Sequence, residues 1–153
     1  MIPKKCDQNM ASCQPFIIDI ADETLNAVRE KVAAYPWHEM PDDGGWGYGT
    51  NLEYMKELAD YWVNDYDWRK HEAGINVFPQ FKAEVDGIEM HFIHEIGSGP
   101  SPTPLLITHG WPGSVVEFME VIEPLAHPER FGGNIEDNYL DTAPQKYHQK
   151  NEF

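Results

Sequence analysis

The sequence predicts an α/β fold in which a helical N-terminal stretch leads into the first strands of a sheet, and three observations carry that prediction. Leu105 to Thr108 is a short apolar run that enters a turn, His109-Gly110-Trp111-Pro112-Gly113, and then a helix start. Two strand-like runs, Gln80 to Val85 and Ile88 to Glu95, flank Asp86-Gly87, a strong signal for a tight hairpin. Upstream, from about Glu23 to Tyr35 and again from Leu52 to about Asn64, apolar side chains recur at helical spacing.

Taken in order, residues 1–14 are polar and unpatterned and are expected to be a flexible leader. Cys6 and Cys13 lie in it without metal-ligand or redox spacing and read as free thiols. Asp22 is expected to cap a helix from Glu23 to Tyr35, because Leu25, Val28, Val32 and Tyr35 fall on one face, a core face, and Pro36 stops it. Residues 36–49 form a Gly-, Pro- and Asp-rich loop. Its His38, Glu39, Asp42 and Asp43 read as a solvated acidic loop, since no second ligand cluster of defined spacing accompanies them. Thr50 and Glu53 form a capping box for a helix running to Asn64, and Asp67 opens a short helix ending near Gly74. The aromatic stripe Tyr54, Tyr61, Trp62, Tyr66 and Trp68 reads as packing.

In the second predicted strand His91 and His94 are three apart, face opposite sides and cannot share a metal; each reads as a hydrogen-bonded surface or interface histidine. Gly97 to Pro104 is a loop, and neither Ser98 nor Ser101 sits in a strand-to-helix elbow, so neither reads as a nucleophile. Ser114 and Glu117 cap the next helix, whose apolar face is Val115, Phe118, Met119, Ile122 and Leu125, with Pro124 distorting or ending it. Residues 134–153 are polar and aperiodic and are expected to lack packed structure.

The chemistry is concentrated in the turn. Gly110 and Gly113 open backbone conformations closed to other residues, and Pro112 removes a donor and restricts Trp111, so the loop is stiff. A stiff loop with its N–H groups turned toward a developing oxyanion stabilises it, and one such donor is worth about 3 to 4 kcal/mol. Trp111 N–H is the expected donor. Alone, the tetrapeptide also reads as an ordinary turn whose histidine packs locally.

From Pro15 to about Phe131 the sequence resembles epoxide hydrolases of the microsomal and juvenile-hormone type. The matching residues are Trp46 to Thr50, Tyr61-Trp62, Tyr66 to Arg69, Asn76, Pro79 to Phe81, Asp86-Gly87, His91-Phe92 and His109 to Ser114, continuing through Val116 to Phe118 and Val121-Ile122. The resemblance implies an N-terminal meander over residues 15–79 and, over 80–133, the start of an incomplete α/β-hydrolase sheet. It implies that the turn contributes a backbone oxyanion donor from Trp111 and that His109, Gly110, Trp111 and Pro112 line a pocket for a small-molecule epoxide. The family's nucleophilic aspartate, its histidine with an acid partner and its two tyrosines follow this turn. None of them is assigned to Asp137, Asp141 or His148, which lack a glycine-rich elbow or a fixed partner. The chain is therefore expected to be a truncated portion, inactive alone, with Leu105 to Thr108 lacking its inherited neighbours. A complementing C-terminal fragment is the expected partner; a non-catalytic interaction module is the alternative.

Composition narrows the rest. With 153 residues, 41% of them hydrophobic, the chain is one domain's length. Acidic residues outnumber basic ones 26 to 11, giving a formal charge of −15 that opposes nucleic acid. No apolar stretch approaches the ~18 residues of a membrane span, and Met1 to Cys6 starts no signal peptide. No cofactor and no metal are expected, and the thiols point to a reducing, cytoplasmic compartment.

Overall fold

In a computed structural model, residues 13–39 and 44–146 are described. They form two compact units, one of residues up to Ile18 and from Ala73 on, the other Asp19–Glu72.

The first unit is a five-stranded sheet of β1 (Gln14–Phe16), β2 (Gln80–Val85), β3 (Ile88–Glu95), β4 (Thr103–Leu106) and β5 (Tyr139–Lys146), in the order β1-β2-β3-β5-β4. All neighbours are antiparallel except β4 and β5, which run parallel. The hairpin β2–β3 has the predicted bounds, with Val85 opposite Ile88. Asp86 and Gly87 take φ of 53° and 76°, the left-handed pair that a two-residue turn of this hand requires. Alternation along β3 splits the core between the two faces. Phe92 packs with Phe81 and Ala83 on one, and Ile93 with Val115 and Ile122 on the other, where Phe78 and Phe118 close the edge.

Three expectations are corrected in this unit. Residues 139–146 are not an unstructured tail: they are β5, lying between β3 and β4, while residues 147–153 are outside the described residues. The strand carries Pro144, opposite Phe92, but the β4 ladder reaches only Thr142, so the missing N–H falls where β5 is paired on one side alone. The strand before the turn is Thr103–Leu106 rather than Leu105 to Thr108, and β5 gives it a neighbour. Cys13 is disulfide-bonded and packs beside the Phe81 cluster, so it is no free thiol; Cys6 is outside the described residues.

In the second unit α1 is Asp22–Ala33 and α2 is Leu52–Asn64, and α3, Trp68–Ile75, carries the chain back to the sheet. Asp22 opens α1 as a first-turn residue rather than as its cap, and Ala21 at the cap makes no side-chain bond. Asn51, not Thr50, caps α2, its Oδ1 accepting from Tyr54 N–H at 3.0 Å, and Glu53 instead pairs with Lys56 at 2.8 Å. Asp67 caps α3 as expected, accepting from Lys70 N–H at 3.3 Å. The apolar face of α1 is not core: no residue of α1 or α2 is buried. Val32, Tyr35, Trp37, Met55 and Leu58 line one groove of 580 Å³, and Leu25, Val28, Tyr61, Trp62 and Tyr66 line another of 530 Å³.

Candidate functional site

β4 delivers the chain to the turn. Gly113 N–H donates to Gly110 O at 2.6 Å, and the Trp111–Pro112 peptide bond between them is cis, which makes residues 110–113 a type VI β-turn. The indole of Trp111 is 97% exposed and anchors nothing within the described residues. In such a turn the N–H of the second residue stays out of the closing bond, and among the described residues Trp111 N–H meets no acceptor. His109 is half-buried, with Nδ1 3.2 Å from Gly110 O, so its ring braces the turn from the side and an Nδ1–H tautomer donates to that carbonyl.

The far side of the turn is locked to the helix start. Ser114 Oγ accepts from Val116 N–H at 3.3 Å, and Glu117 Oε1 accepts from Ser114 N–H at 3.2 Å, which is the predicted capping box. It starts a 3-10 turn, Val115–Phe118, that passes directly into α4, Met119–Ala126. Pro124 is tolerated inside α4, which ends two residues later. Val115 and Ile122, both buried against Ile93, fix this segment to the sheet, so the turn is held by the core on one side and by β4 on the other.

Outside the turn the structure brings together groups that sequence reasoning did not pair. His91 is buried rather than at the surface: Nε2 lies 2.9 Å from Gln80 Oε1, and Gln80 Nε2 donates to Asn76 Oδ1 at 2.8 Å. The Asn76 amide also exchanges two bonds with the Ile18 backbone, at 3.0 and 2.7 Å, tying β1's exit to the sheet. His91 and His94 do face opposite sides, against Phe16 and Phe81 respectively. His127 Nε2 meets Glu95 Oε1 at 3.1 Å; Glu95 is level with Leu105 through Asp141, four residues short of His109. Ser98, discounted as a nucleophile, donates through Oγ to Glu129 at 2.9 Å. Burial pushes the Glu129 carboxyl up, but its own backbone N–H, Ser98, His127 and Arg130 outweigh this and hold it below the ordinary range.

Within Asp19–Glu72 the strongest electrostatic feature is Glu72, whose carboxylate accepts from Ile20 N–H at 2.8 Å, Trp68 Nε1 at 3.0 Å and Arg69 at 2.5 Å. The Ile20 bond, ahead of Arg69 and Trp68, overcomes burial and lowers its pKa, and Arg69, held by Asp22 and Glu72, is raised. Among the described residues no group of three or more His, Cys, Asp or Glu side chains is placed to hold a metal; Asp42 and Asp43 fall outside them.

A family model for the epoxide hydrolase N terminus matches residues 13–118, and the chain belongs to that family. It is 35% identical over 137 residues to epoxide hydrolase 1 of Sus scrofa and 35% identical over 136 residues to juvenile hormone epoxide hydrolase 2 of Ctenocephalides felis, in each case over 87% of this chain. It spans 30% and 29% of the length of these two relatives. The solved Aspergillus niger epoxide hydrolase superposes with a TM-score of 0.76 at 26% identity, over 89% of this chain and 35% of that one. The fold is therefore α/β, part of an α/β-hydrolase fold. No helix among the described residues is long and apolar enough to cross a membrane.

Proposed function

We propose that this chain is the N-terminal portion of an epoxide hydrolase and supplies the oxyanion side of its active site. The observation that carries the reading is Trp111 N–H, which among the described residues meets no acceptor, on a turn braced at Gly110, Ser114 and Val115. In the reaction an aspartate carboxylate attacks an epoxide carbon, the C–O bond breaks, and the ring oxygen takes a proton from a tyrosine. Water activated by a histidine then adds to the ester carbonyl, whose oxygen becomes an oxyanion, and collapse releases the diol. Trp111 N–H would hold that oxyanion, while His109, Gly110 and Pro112 would shape the pocket against a small epoxide. The nucleophile, the histidine and the tyrosines are assigned to no residue of this chain, so turnover requires a complementing C-terminal fragment.

Three surfaces favour that partner. Among the described residues β4 is an edge strand with one side of its ladder open and Leu106 exposed, and the grooves of 580 and 530 Å³ are lined by apolar side chains. The same surfaces support the second reading, a non-catalytic interaction module. Mixing this chain with the C-terminal remainder of a related epoxide hydrolase, and following co-elution and loss of styrene oxide, separates the two. Turnover by the mixture but not by the chain alone supports the hydrolase; association without turnover supports the module. The Cys13 disulfide is at odds with the reducing, cytoplasmic compartment that free thiols would suit.

A further inference from the structure

We propose that Glu117 is the positioning residue of the oxyanion turn, acting through the Gly113-Ser114 backbone to aim Trp111 N–H. This rests on the reading of Trp111 as the oxyanion donor and names what holds it in place. Glu117 Oε1 accepts from Ser114 N–H at 3.2 Å, so that amide is occupied, whereas Trp111 N–H has no acceptor among the described residues. Gly113 lies between this carboxylate and the Gly110 carbonyl. A Cβ added there would run into Glu117 Oε1 and would come within 2.8 Å of Gly110 O, so the absent side chain is what lets the carboxylate close against the turn. A carboxylate suits the task because a charged acceptor makes a stronger bond to an amide than a neutral one does.

Ser114 Oγ caps Val116 N–H separately, at 3.3 Å, and this separates positioning from simple helix capping. The test follows the backbone amides of Trp111 and Ser114 by nuclear magnetic resonance in the full chain, with melting temperature as the control for folding. Glu117→Ala is expected to shift the Trp111 amide resonance and speed Ser114 amide exchange roughly two- to tenfold, the loss of one ordinary hydrogen bond. Glu117→Gln, which keeps an acceptor oxygen, is expected to restore both. Ser114→Ala is expected to lower the melting temperature without moving the Trp111 amide. In the mixture with the C-terminal remainder, Glu117→Ala should lower kcat roughly tenfold or more with little change in KM, as a misaimed donor does. An unmoved Trp111 amide in a folded Glu117→Ala chain, an equal shift in Ser114→Ala, or an unchanged kcat overturns the proposal. If the unmutated mixture has no activity, the reading of Trp111 fails by itself and the amide measurements still decide the role of Glu117.

Discussion

Glu72 shows how much a single side chain can organise: its two oxygens collect Ile20 N–H, the Trp68 indole and Arg69, joining the entry of α1 to α3. Its folded pKa is lowered, so its contribution is fully present above the unfolded carboxyl value of about 4.3 and is lost as pH falls through the lower folded value. Glu72→Gln should therefore melt below the parent at pH 7, with the gap closing under acid; a gap that stays constant from neutral pH to pH 3 would refute this linkage. In the sheet unit, Ile93 and Ile122 are both fully buried in one cluster. Replacing either with Ala should cost about 2 to 5 kcal/mol in denaturant unfolding, and a loss below 1 kcal/mol would mean that the cluster is not the core. Single residues were unevenly legible in the sequence. Thr50 and Asn51 are adjacent residues that can both cap, and only the fold selects Asn51. His91 is buried, and Gln80, on the neighbouring strand, satisfies its ring nitrogen.

At the scale of elements, what was legible is what local chemistry decides. Asp86-Gly87 carries its own turn geometry, and the hairpin it joins has the bounds read from the sequence. Gly87→Ala should cost about 1 to 2 kcal/mol, the penalty for a side chain in left-handed backbone, and an unchanged midpoint would contradict that geometry. β5 was illegible because its position is a tertiary fact. A polar run containing Pro144 has no strand signature, and it becomes a strand because β3 and β4 offer backbone partners on either side. Truncation after Gly133 removes this strand and its ladders. The shortened chain is expected to lose cooperative unfolding in calorimetry, whereas an unaltered transition would mean that β5 adds nothing to the sheet. α1 and α2 show the reverse case: helical spacing located them correctly, but periodicity cannot say what covers an apolar face, and among the described residues nothing buries theirs.

At the scale of the whole molecule, among the described residues the outer edge of β4 is unpaired, the two grooves are lined by apolar side chains and Trp111 N–H has no acceptor, in a chain that spans 30% of the length of its Sus scrofa relative. The turn was legible from six consecutive residues, because glycine, proline and a capping pair dictate local geometry. The bracing by Val115 and Ile122 against Ile93 was not, because it depends on a strand more than twenty residues away in sequence. The central claim is that the backbone amide of Trp111, not its exposed indole, serves the reaction. Its most direct test is kcat for styrene oxide in the mixture of this chain with the C-terminal remainder of a related epoxide hydrolase, when the Trp111 amide is replaced by an ester that keeps the side chain and removes the N–H, with the same replacement at Gly113, which breaks the turn's closing bond but keeps Trp111 N–H, as the control. A fall of about 10²- to 10³-fold in kcat, with KM little changed, is the predicted result, and an unaltered kcat would contradict the account.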